Sequence, residues 1–123
     1  MSKNINPTDE SSILSSFTSE EKKAIFRNLI ATTGVDGDLD ANERAVIEVI
    51  LEELDLSDVE RQAAIQLGQN ETLAVLRAMD DSKKEQLGEF MARVICADRK
   101  IYPIEEKFFK AMKIYLGLPD KDY

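Results

Sequence analysis

Asp36, Asp38 and Asp40 alternate along a short stretch that ends at Glu43, and Asp98 and Glu105 repeat the outer spacing of seven residues. In extended backbone, alternate side chains point to one side, so three carboxylates would present hard oxygen ligands together. Such oxygens suit calcium or magnesium. The candidate metal-ligating set is therefore Asp36, Asp38, Asp40, Glu43, Asp98 and Glu105. An EF-hand needs Gly at its sixth position and a bidentate Glu at its twelfth, but counting from Asp36 those places hold Ala41 and Ile47. Calcium takes about 6 to 8 oxygens, more than one such loop supplies, so weak binding is expected unless the two acidic turns meet in space.

The same residues have a structural reading. An Asp in a turn and a Glu at the third helical position accept hydrogen bonds from orphan backbone N–H groups and complement the positive end of the helix dipole. Glu43 and Glu105 then start helices, and Asp36 and Asp98 mark equivalent turns. A third reading pairs Asp36 with Asp98 as general acid and base, since carboxylates held together raise one another's pKa. No nucleophile, substrate-pocket motif or cofactor motif accompanies that pair. No catalytic or cofactor-binding residue is assigned, and a non-enzyme is expected.

Composition narrows the field further. The chain contains no histidine, and Cys96 is its single cysteine. This removes His-based triads, His-ligated metals, thiolate cages and internal disulfides. Within Val94-Ile95-Cys96-Ala97 the thiol reads as a small core residue. With 24 acidic against 16 basic residues, the net charge of -8 repels phosphate backbones and anionic lipid surfaces. Nucleic acid is not an expected partner. No apolar run approaches the ~20 residues that span a bilayer, and no signal peptide is legible. The expectation is a cytoplasmic protein without membrane insertion, its possible partners being a protein or a second copy.

The elements that must position these residues are helices. Thr18-Ser19-Glu20-Glu21, Asp40-Ala41-Asn42-Glu43, Ser57-Asp58-Val59-Glu60 and Ser82-Lys83-Lys84-Glu85 all read as capping boxes, with Asn70 as a further cap. Ile25, Phe26, Leu29 and Ile30 form one apolar stripe, opposite Lys22, Lys23 and Arg27; Val46, Ile47, Ile50 and Leu54 form another. Ala64, Ile65 and Leu67 precede a stop at Gly68, and Leu73, Leu76 and Met79 follow in a connecting helix. Leu87, Phe90, Met91, Val94 and Ile95 mark a long helix. Pro103 opens the last helix, whose stripe of Phe108, Phe109, Met112 and Leu116 ends at Gly117. Its Lys107, Lys110 and Lys113 read as a solvated face. No window alternates with period two. The fold class is all-α, a compact bundle of six or seven helices over residues 18–119, with a flexible arm at 1–17 that has room for one short helix around Ile13, Leu14 and Phe17, and a tail at 120–123. Ile13, Leu14 and Phe17 of the arm could form an apolar patch for association.

A shift of 62 positions lays Asp36 on Asp98, Leu39 on Ile101, Glu43 on Glu105, Val46 on Phe108, Ile50 on Met112, Leu54 on Leu116 and Leu56 on Leu118 without a gap. This predicts an internal duplication of two pseudo-symmetric helix-loop-helix units. The stretches Val35-Asp36-Gly37-Asp38-Leu39-Asp40-Ala41-Asn42-Glu43 and Ala97-Asp98-Arg99-Lys100-Ile101-Tyr102-Pro103-Ile104-Glu105 resemble the TerB-like domain of tellurite-resistance proteins. The resemblance covers about residues 20–119. The second stretch departs from the pattern at Arg99, in the Gly place, and at Tyr102, in the cap place. The resemblance implies an all-helical fold, a link to tellurite resistance or stress response, metal binding through acidic residues, and no established reaction.

Overall fold

The computed structural model describes residues 15–33, 41–97 and 103–119, the side chains of 33 and 103–105 excepted. Six helices are described: α1 (Ser19–Thr33), α2 (Ala41–Leu54), α3 (Asp58–Ile65), α4 (Gln69–Arg77), α5 (Asp81–Ile95) and α6 (Pro103–Leu116). There is no strand among the described residues. No helix among them is long and apolar enough to cross a membrane.

Local chemistry sets most of the helix ends. The Glu21 N–H donates to Thr18 Oγ1 at 3.1 Å, and the Thr18 N–H returns the bond to Glu21 Oε1 at 2.9 Å. The same reciprocal box joins Ser57 and Glu60, with distances of 3.1 and 2.9 Å. Pro103 opens α6 as its spacing predicts. Elsewhere the register differs from expectation. The cap of α5 is Asp80, whose Oδ1 accepts from the Lys83 N–H at 2.9 Å, so Ser82 lies inside the helix. The chain offers Asp80, Asp81 and Ser82 in succession, and the first of these takes the cap. Gly68 caps α4 in place of Asn70, and α3 stops at Ile65, which is exposed.

Helix α1 is the centre of the molecule, because each of the other five described helices packs against it. Ala24, Ile25, Phe26 and Leu29 are buried, and so are the polar Asn28 and Thr32. Thr32 Oγ1 donates to the Asn28 carbonyl at 2.8 Å, and Asn28 Nδ2 donates to Met91 Sδ at 3.4 Å. Burial of those polar groups is compatible with the core because they are bonded. The core continues through Ile50, Leu51 and Leu54 of α2, Leu76 of α4, Leu87, Phe90, Met91 and Val94 of α5, and Leu116 of α6. Phe17 also packs into it, so packing begins before Thr18 and this ring is no part of an exposed patch. Cys96, expected in the core, is exposed at the end of α5. It follows Ala92 and Arg93 by four and three residues, on the half-exposed side of α5 and off the stripe of Phe90, Met91, Val94 and Ile95. Ile13 and Leu14 lie outside the described residues.

Two helix ends are built alike. The Asp55 N–H bonds the Glu52 carbonyl at 3.1 Å and the Leu56 N–H bonds the Leu51 carbonyl at 3.1 Å, while 62 positions later Gly117 bonds Ile114 at 3.3 Å and Leu118 bonds Lys113 at 2.9 Å. Both are Schellman caps, which require a left-handed residue; Gly117 has φ 73° and Asp55 has φ 56°. Glycine adopts that conformation without steric cost, and aspartate does not. Asp55→Gly is therefore expected to stabilise the fold by about 0.5–1 kcal/mol and Gly117→Ala to destabilise it by about 1 kcal/mol, read as opposite shifts of Tm.

The Ser19 hydroxyl reaches from α1 to α3 and donates to Glu60 Oε2. That bond, with the Ser57 N–H on the same carboxylate, holds Glu60 below its ordinary pKa. A lowered folded-state value means stability that is present above the unfolded glutamate value and lost as pH falls through the folded one. Ser19→Ala should raise the Glu60 pKa toward the ordinary value and shrink that acid-side loss. Carboxyl chemical shifts followed through acid titration, beside melts at each pH, check both.

Candidate functional site

Of the acidic set singled out in the sequence, Asp36, Asp38, Asp40 and Asp98 lie outside the described residues, as do Leu39 and Ile101 of the aligned turns and the side chain of Glu105. Glu43 is described, and it stands apart. It is the third residue of α2 and is 1% exposed. Five of the six described helices carry Glu at this position, namely Glu21, Glu43, Glu60, Glu71 and Glu105. Glu21 and Glu60 are half-buried and Glu71 is exposed, so among those with described side chains only Glu43 is withdrawn from water.

An ionised carboxylate is costly to bury unless donors or a cation engage it. Glu43 is engaged within the fold. Its position in the first turn of α2 also gives it the favourable end of the helix dipole. Among the described residues no group of three or more Cys, Asp or Glu side chains is placed to hold a metal ion.

The described part of the chain contains a second feature, which sequence reasoning missed. Arg27, Asn28 and Ala31 of α1, Gln69, Thr72 and Leu73 of α4, and Phe108 and Met112 of α6 line a cleft of about 240 Å³. Arg27, expected on a wet face, is half-buried there, and its Nε–H donates to the Leu67 carbonyl at 3.4 Å. The Thr72 hydroxyl donates to the Gly68 carbonyl at 2.8 Å, and Thr72 is 4% exposed. One sequence signal did exist: Asn28 and Thr32 share the helical face of Ile25 and Leu29, where two polar side chains interrupt an apolar stripe.

No family model matches the chain, and no curated protein matches it. Among solved structures, a crystallised protein of unknown function from Porphyromonas gingivalis W83 is similar, with a TM-score of 0.75 at 19% sequence identity over 85% of this chain and 89% of that chain. At that identity the likeness shows a shared all-helical fold alone.

The burial of Glu43 gives a direct prediction. Glu43→Ala should cost about 1–3 kcal/mol at pH 7, whereas Glu52→Ala, at an exposed site on the same helix, should stay within about 0.5 kcal/mol. Urea unfolding of the two variants beside the parent protein measures the difference.

Proposed function

We propose that the chain is a non-enzymatic, cytoplasmic TerB-like binding module, connected with tellurite resistance or stress response, that holds a divalent cation weakly through its acidic turns. The observation carrying this reading is the buried Glu43 carboxylate, three residues after the Asp36, Asp38, Asp40 series ends. The other described N3 glutamates stay in contact with water as caps, whereas this one is withdrawn from it at the end of a run of alternating carboxylates, the residue type that suits a hard divalent cation. The second acidic turn, Asp98 and Glu105, is its partner in an internal duplication. The matched Schellman caps, and the equally deep burial of Leu54 and Leu116 and of Leu56 and Leu118, support that duplication.

A second reading, an assembly or structural protein with no ion site, is favoured by a different observation. Glutamate recurs at the third position of helix after helix, and at Glu21 and Glu60 it serves as a cap. On that reading Glu43 is a cap that the packing of α2 happens to enclose.

Titration separates the two. Calcium or magnesium in the millimolar range is expected to shift the amide signals of Ala41, Asn42 and Glu43 saturably, to raise Tm, and to do neither in Glu43→Gln. Amides unmoved by both ions would remove the cation and leave the assembly role.

A further inference from the structure

The cleft between α1, α4 and α6 is chemically two-sided. Leu73, Phe108 and Met112 supply apolar wall, while Arg27, Gln69 and Thr72 supply polar groups. Among the described residues no carboxylate forms an ion pair with Arg27. The nearest acidic side chain along α4, Glu71, is exposed, is not part of the lining, and accepts from the Gly68 N–H at 3.5 Å. Using Nε for the Leu67 carbonyl leaves the terminal guanidinium nitrogens for a planar, two-oxygen acceptor. The adjoining first turn of α4 reinforces this. Its cap is Gly68, which has no side chain to accept from the amides that follow it, Glu71 taking only the Gly68 N–H itself, and the dipole of that turn favours negative charge.

We propose that this cleft binds a small amphipathic carboxylate, its head group on Arg27 and the α4 turn and its apolar body against Leu73, Phe108 and Met112. The size sets the body. A dry cavity of about 150 Å³ accepts benzene, so a cleft of about 240 Å³ accepts about ten non-hydrogen atoms, the size of octanoate. Charge sets the head. A multiply charged phosphate would meet a chain of net charge -8 with Arg27 as the one cation among the described lining residues, whereas a monoanion paired with one guanidinium is locally neutral. A neutral ligand would leave the half-buried Arg27 charge uncompensated.

The proposal is independent of the cation reading, because it uses none of the acidic turns and is reported by different amides. The test titrates the full chain with octanoate, 1-octanol and inorganic phosphate, each up to about 10 mM, following amide spectra. Octanoate should shift Ala31, Gln69, Thr72 and Leu73 saturably, with 1-octanol and phosphate at least roughly tenfold weaker. Arg27→Gln should weaken octanoate roughly tenfold and leave 1-octanol unchanged, and Ala31→Leu, which fills the cleft, should abolish both. If Arg27→Gln does not fold, the three ligands on the unaltered chain decide the matter. Equal affinity for octanoate and 1-octanol would overturn the carboxylate assignment. Phosphate binding as tightly as octanoate would overturn the amphipathic one, and no shift with octanoate would remove the site.

Discussion

Everything else in the fold depends on one helix being surrounded. Helix α1 meets all five other described helices, so it cannot be the half-wet amphipathic helix that surface packing normally produces. Its polar residues must find partners inside the protein. Thr32 does so on its own helix, against the Asn28 carbonyl, a bond that substitutes for water without requiring another element. Asn28 turns outward to the thioether of Met91, which ties α1 to α5. A central helix with satisfied polar groups then fixes where every neighbour can sit, and the cleft beside Arg27 is a by-product of three helices converging on that one axis.

Glutamate at the third helical position is the chain's recurrent local device. It neutralises the positive helix start and returns a bond to the capping residue, which is why boundaries could be read at Thr18 and Ser57. Helix α5 has Lys83 at the same place, and the exception is compensated across the structure: Lys83 Nζ reaches Glu21 Oε1 at 2.8 Å, with both side chains 16% exposed. The carboxylate that caps α1 therefore also anchors α5. Other cross-helix ion pairs, Arg61 with Glu48 and Arg93 with Glu53, are more exposed and contribute little.

The all-helical class, the apolar stripes, the ends at Pro103 and Gly117 and two of the capping boxes were legible because each is decided within a few residues of itself. Asp80 against Ser82, and Gly68 against Asn70, were not, since several adjacent residues can cap and packing picks the register. Cys96 and Ile65 were misplaced because apolar neighbours in sequence do not share a helix face: Cys96 falls off the stripe of Val94 and Ile95, and Ile65 is exposed beside the buried Ala64. Of the acidic residues, the sequence marked Glu43 but could not show its burial, which depends on α2 packing against α1 and α5. The cleft was least legible of all. Its walls come from residues 27–31, 69–73 and 108–112, brought together only by tertiary contact.

Two charges withdrawn from bulk water, Arg27 and Glu43, illustrate how differently this fold treats the two signs. Glu43 lies against the start of α2, where the dipole favours an anion and packing has closed over it. Arg27 lies midway along α1, and among the described residues one carbonyl accepts from it, that of Leu67 just past the end of α3. A guanidinium is more weakly hydrated than an ammonium, and its three-carbon stem can line an apolar wall while the head stays at an opening. Half-burial is thus tolerable for arginine where it would be costly for lysine. In a chain of net charge -8, where Glu and Asp are abundant on the surface, leaving this cation beside a cleft that no carboxylate lines among the described residues makes the polar end of that cleft locally positive. The local field there opposes the field of the whole molecule, so selectivity for an anion must come from contact at the guanidinium and not from long-range steering.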